Sequence, residues 1–182
     1  MDAGFTNAAQ LRDMLNRSSP AASHAKIGSV LTDIITYSSY TMLSKAGLVI
    51  HGAGSTLVKA GSAFAALVNG TIIRKAANTD MAALSGTIAN GQSGAFSFFI
   101  NSSGTLSSQF GGAKSNHDAA IASSSLLATL SSGLVMIGIV VVDNASGSNF
   151  VGGTTALDTA GLTVTYYDII DSPTAVGALG TR

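Results

Sequence analysis

Three histidines, His24, His51 and His117, are the side chains best suited to moving a proton near neutral pH. Nine aspartates are the only carboxylates available to work with them, because the chain has no glutamate. A hydrolase of the serine type needs a hydroxyl nucleophile, an imidazole base and an orienting acid. Gly91-Gln92-Ser93-Gly94 approaches the G-x-S-x-G nucleophile elbow without completing it. His51 closes an apolar segment and precedes Gly52-Ala53-Gly54, the setting of a turn, and His117 reads as the start of a helix. Phosphate cradles fail in the same way. Gly52-Ala53-Gly54-Ser55-Thr56 lacks the third glycine of a dinucleotide fingerprint, and Gly111-Gly112-Ala113-Lys114-Ser115 does not have P-loop spacing.

Metal chemistry finds equally little. With no cysteine there is neither a thiolate site nor a disulfide framework. A hard cation needs several converging oxygens, and Asp143-Asn144-Ala145-Ser146-Gly147 does not supply the alternating ligands of a calcium loop. Asp143 and Asp158 flank a Gly/Ser-rich segment, and Asp168 and Asp171 lie near the C-terminus, where turn formation is the favoured reading. A glycosidase pair could be distant along the chain, but nothing in the sequence points to one. The expectation is therefore no catalytic residue, no cofactor and no metal.

What the chain has in place of charge is small polar surface. Charged residues make up 10% of its 182 positions, against about 25% in an ordinary soluble domain. The formal net charge is zero. A monomer usually keeps its neighbours away by surface charge. A skin of Ser, Thr, Ala and Gly loses little side-chain entropy when it is covered, so it suits repeated protein–protein contact. Arg12, Arg17 and Lys26 are too few for a phosphate-binding patch, so no nucleic-acid surface is expected. The N-terminal Met1-Asp2-Ala3-Gly4-Phe5 has no basic region leading into an apolar core, so no secretory signal is expected. The longest apolar run, Gly133 to Val142, is about half of the ~20 residues a membrane helix needs. No membrane partner is expected, and the run reads as a buried strand.

The elements that would carry these residues divide the chain in three. Residues 1–46 read as a helical extension. Asn7 and Gln10 can cap a helix over Ala8 to Asn16, with Leu11, Met14 and Leu15 on one face. After Ser18-Ser19-Pro20, the residues Ile27, Val30, Leu31, Ile34 and Ile35 recur at amphipathic helical spacing, and beyond Tyr37 the period fades. Residues 47–171 read as a β-rich domain. Strands are expected at Leu48–Ile50, Thr56–Lys59, Phe64–Val68, Thr71–Arg74, Thr87–Ala89, Ala95–Ile100, Thr105–Phe110, Val135–Val142 and Leu162–Ile169. Asn69-Gly70 and Asn101-Ser102-Ser103-Gly104 mark hairpin turns, and Asp143 to Asn149 a polar turn. One internal helix is expected over Asp118 to Leu130, capped by Asn116, burying Ile121, Leu126, Leu127 and Leu130. Residues 172–182 read as a flexible tail. This pattern predicts a mainly β fold, a β-sandwich or barrel that could take a jelly-roll form, with an α+β arrangement as the alternative.

The aromatics add one constraint. In the strand Ala95–Ile100, Phe96 and Phe98 share a face and Phe99 takes the other. Phe99 must then be covered, by the internal helix or by another subunit.

The C-terminal half also carries a resemblance. Val135-Met136-Ile137-Gly138-Ile139-Val140-Val141-Val142 is followed by Phe150-Val151-Gly152-Gly153-Thr154-Thr155-Ala156-Leu157-Asp158 and by Val164-Thr165-Tyr166-Tyr167-Asp168. This succession resembles the end of structural proteins of tailed bacteriophages, over residues 94–170. The residues themselves account for it as a fold fingerprint: a Gly-Gly turn, threonines bonding back to the backbone, and Leu157 tucked under a sheet.

The resemblance implies virion association without enzymatic activity. With particle geometry, it suggests a cement or decoration protein on the phage head surface, a homotrimer whose partner is the major capsid protein. Leu11, Met14, Leu15, Ile27, Leu31 and Phe99 are the expected partner contacts. The alternative is a tail-fibre or receptor-binding module recognising host glycan, with Tyr167 or Phe150 as the stacking aromatic.

Overall fold

Two long apolar segments, one rich in phenylalanine and one β-branched, organise the fold, because each is buried on both faces. The computed structural model describes residues 40–124 and 133–169, all within one compact unit, Ser38–Arg182. The expected extension up to residue 39, the end of the expected internal helix and the C-terminal tail lie outside the described residues, and Leu11, Met14, Leu15, Ile27 and Leu31 lie there with them. Among the described residues the fold is mainly β, with antiparallel sheets, one short helix and no barrel closure, and is consistent with a β-sandwich-like arrangement.

The long strands β7 (Gln92–Asn101) and β9 (Leu134–Asn144) pair at the centre of a four-stranded sheet. β8 (Leu106–Lys114) flanks β7, and β11 (Leu162–Asp168) flanks β9, giving the order β11-β9-β7-β8. Val135–Val142 is thus the doubly covered central strand its continuous apolar run predicts.

On one face, Phe96, Phe98, Ile100, Ile137, Val140 and Val142 join the main core. On the other, Ala95, Phe99, Met136, Ile139 and Val141 form a second core. Strict alternation along β9 breaks between Ile137 and Ile139. The register shift between Phe98 and Phe99 shows why: β9 carries one extra residue there, a bulge that re-aims the side chains beyond it.

A second layer closes the main core. β1 (Tyr40–Met42), β4 (Phe64–Val68) and β5 (Thr71–Lys75) make a three-stranded sheet in the order β1-β4-β5. Met42, Phe64, Ala66 and Val68 point inward from it. Asn69 and Gly70 both have positive φ, 51° and 74°, which is the backbone that a two-residue hairpin of this twist requires. Tyr40–Met42, where the helical period fades, is therefore a strand of the β unit. Two small pairs complete it: β2 (Leu48–Ile50) with β3 (Val58–Ala60), and β6 (Thr87–Ile88) with β10 (Phe150–Val151).

The internal helix is interrupted at Ser123, within the span its sequence pattern predicts. α1 spans His117–Ala122, with the Asn116 Oδ1 accepting from the Ala119 N–H at 2.9 Å. It stops at Ser123, whose backbone N–H reaches the carbonyls of both Ala119 and Ala120 and whose hydroxyl donates to the Ala120 carbonyl at 2.7 Å. Serine side chains compete with the helical ladder in this way, and Leu126, Leu127 and Leu130 of the expected helix lie outside the described residues. Ala120 is buried against the second core.

This settles Phe99. It is 2% exposed and lies in the cluster with Ala120, Met136 and Ile139. The expectation that it contacts a partner is corrected: the chain's own helix is packed in that cluster, and no ring surface remains for another subunit.

Candidate functional site

The helix start, the end of β9 and the end of β11 converge on the second-core side of the four-stranded sheet. The Asn116 cap places His117 at the first helical position. Asp143 and Tyr167 lie on that same face of the sheet, following the alternation through Ile139 and Val141 on β9.

The His117 Nδ1 lies 2.7 Å from the Asp143 Oδ2, and its Nε2 lies 2.9 Å from the Tyr167 hydroxyl. A carboxylate only accepts, so in the tautomer that fits both contacts Nδ1–H donates to Asp143 and the neutral ring's Nε2 accepts the tyrosine proton. The rings of His117 and Tyr167 meet edge-on, with centroids 6.2 Å apart. The other carboxylate oxygen of Asp143, Oδ1, is shielded from solvent and has no hydrogen-bond partner among the described residues.

Chemically, an acid, an imidazole and a hydroxyl in series can polarise the hydroxyl. Mechanically, the same series ties α1 to β9 and β11. The tie is partly buried, with the side chains of His117 and Asp143 30% and 31% exposed. His117→Ala leaves both the carboxylate and the hydroxyl without this partner and should lower stability by about 1–3 kcal/mol. Tyr167→Phe removes one neutral hydrogen bond and should cost about 1 kcal/mol. Urea unfolding of the two variants checks the order.

Two further aspartates act as loop clamps. The Asp80 Oδ1 lies 2.6 Å from the His51 Nδ1 in an exposed pair, and the Asp158 Oδ2 accepts from the Gly54 N–H at 2.7 Å. Both hold the turn that follows β2, which agrees with reading His51 and its glycines as a turn.

Asn144 does the equivalent work at the end of β9. Expected in a polar turn, it is instead the last residue of the strand and is buried. Its Nδ2 donates to the carbonyls of Ile88 and Ser148, and its Oδ1 accepts from the backbone N–H and hydroxyl of Ser146. Beyond it, the Thr155 hydroxyl oxygen accepts from the Val151 N–H at 2.9 Å, and Leu157 is buried, as the Gly-Gly-Thr-Thr segment predicts.

Neither aromatic suggested for sugar stacking is free. Phe150 is fully buried in the main core, which corrects its candidacy outright, and the hydroxyl of Tyr167 is engaged by His117.

Tyr166 faces the main core from β11. Burial first, and then the negative charge of Asp158, raise its hydroxyl pKa above the ordinary 10.0. The folded chain therefore holds this proton more tightly than the unfolded one. The linked stability is fully present below 10.0 and is lost as pH rises through the higher folded value. The urea midpoint should fall in that alkaline window, and Tyr166→Phe should flatten this part of the profile.

The sequence reading missed the Asp143–His117–Tyr167 series because its members are distant in sequence. The signal that could have found it was the face alternation of two strands together with the Asn116 cap, and it becomes usable only once the β9–β11 register is known. Among the described residues, no group of three or more metal-ligating side chains could hold a metal ion, and no helix is long and apolar enough to cross a membrane. No family model, no curated protein and no solved structure matches the chain.

Proposed function

We propose that the protein is a non-enzymatic structural component of a tailed-phage virion, binding the outside of the capsid as a cement or decoration protein. The observation that carries this reading is the outer face of the β1-β4-β5 sheet. Leu67 pairs directly with Ile72 across β4 and β5 and with Thr41 across β1, and the Leu43 N–H donates to the neighbouring Ala65 carbonyl at 2.8 Å. Ile72 is 52% exposed and Leu43 50%. Scattered surface apolar residues are ordinary, but two on one sheet face, with the half-buried Leu67 beside Ile72, suit a contact patch.

The low charge of the whole chain and the succession of motifs in its C-terminal half point the same way. The Asp143–His117–Tyr167 series acts as a structural staple in this reading. Bound copies would bridge neighbouring coat subunits and stabilise the assembled shell by mass action.

The test is to add the purified chain to capsids lacking it and follow sedimentation and thermal disruption. The reading expects saturable binding and a higher disruption temperature, both weakened by Ile72→Lys. Absence of binding, with normal folding, would overturn it.

A further inference from the structure

The two edges of the four-stranded sheet are finished differently. β8 is blunted. It carries an extra residue between Phe110 and Ala113, where its register with β7 shifts. The chain also runs beside it: the Ser108 hydroxyl donates to the Ala83 carbonyl at 2.6 Å, and Gly86 sits against the Phe110 ring. Bulges and covering segments are the usual protection of an edge strand.

β11 has neither. Its register with β9 is regular over all of Leu162–Asp168, and among the described residues no strand pairs with its other side. Ladder bonds at its two ends, from the Ala145 N–H to the Gly161 carbonyl and from the Ile169 N–H to the Ile137 carbonyl, direct the odd-numbered residues toward β9. The backbone groups of Val164 and Tyr166 therefore face away from β9. Leu162 through Tyr167 contains no charge, no proline and no glycine, which is the composition of an edge open to strand addition.

We propose that β11 is a self-association edge, pairing antiparallel with β11 of a second copy about a two-fold axis through Val164. The occupant is argued from self-complementarity. In this register the Val164 residues exchange both amides, and each Tyr166 N–H meets the second copy's Leu162 carbonyl. The Leu162 N–H is not needed, since it already donates to the Thr159 carbonyl. Side chains match as well: Val164 meets Val164, Leu162 meets Tyr166 and Thr163 meets Thr165, all favourable cross-strand pairs. Asp168 falls opposite Ala160, so no like charges meet. Because the β8 edge is blunted, pairing through β11 closes at two copies and does not propagate as a fibre. This deepens the proposed structural role and replaces the three-fold form expected from particle geometry with a two-fold one.

The test uses the full chain and Val164→Pro. Proline removes only an N–H that faces away from β9, at an edge position where the sheet tolerates it. Light scattering should give two copies for the parent chain and the 18.1 kDa single copy for the variant, with unchanged far-UV circular dichroism. In the parent, amide exchange at Val164 and Tyr166 should be slow at high concentration and speed up on dilution, a readout that does not depend on the variant folding. A parent chain that is monomeric or three-fold, or protection of these amides that dilution leaves unchanged, would overturn the pairing. Slow exchange that survives dilution would mean that the same chain covers the edge. Capsid binding is measured separately, so loss of the edge proposal leaves the decoration reading to its own test.

Discussion

Phe96→Ala should lower the free energy of unfolding by about 3–5 kcal/mol, as expected for truncating a large, fully buried aromatic. Phe96 is 0% exposed at the middle of β7, one of the two central strands. Its ring stacks on Phe110 at a centroid distance of 4.8 Å and meets Phe150 edge-on at 6.1 Å. It pairs across the sheet with Val140 on one side and Phe110 on the other. The side chain therefore joins an edge strand, the centre of the sheet and the small β6–β10 pair, and a cavity there has rigid walls that cannot collapse to fill it. Urea unfolding measures the loss. A cost below about 1 kcal/mol would mean that this cluster is not the centre of the core.

The second large effect is expected from adding a methyl group. Gly86→Ala should cost about 2–5 kcal/mol, from two separate causes. Gly86 has φ 133°, a backbone that residues with a Cβ rarely adopt. A Cβ built there runs into the Phe110 ring, whose position is fixed on the other side by Phe96. The two causes can be separated. In a Phe110→Ala background the collision is gone and only the backbone strain remains, so the cost of Gly86→Ala should fall. The double-mutant cycle measures the difference. Equal costs in both backgrounds would show that the collision contributes nothing.

These two residues also show what could be read from sequence. Phe96 was legible: period-two alternation puts Phe96 and Phe98 on one face, and the structure places both in the main core. The Asn69-Gly70 hairpin and the central position of Val135–Val142 were legible for the same reason, since each is dictated by local backbone preference or local apolar density. Gly86 was not legible. Its role depends on a ring that arrives from β8, more than twenty positions along the chain, and no local pattern records that encounter.

The internal helix failed differently. Apolar spacing alone favours extension past Ala122, and the hydroxyls at Ser123 and Ser124 are a weaker local signal for the stop at Ser123. Phe99 was caught between two partners that sequence cannot separate, a helix of the same chain and another subunit. Only the packing of α1 decides between them. The Asp143–His117–Tyr167 series needed the pairing register of two strands, which is tertiary information. Composition, in contrast, is a property of the whole chain, and it is composition with the exposed Leu43 and Ile72 that supports a surface meant to be covered.

The most direct measurement of that role is the copy number of the chain in purified virions, determined by quantitative mass spectrometry against the coat subunit. A decoration protein should be present in constant proportion to the coat subunit and should leave the particle, together with part of its thermal resistance, when the shell is stripped by denaturant. Copies confined to the tail, or particles that are free of the chain and equally resistant, would contradict the account.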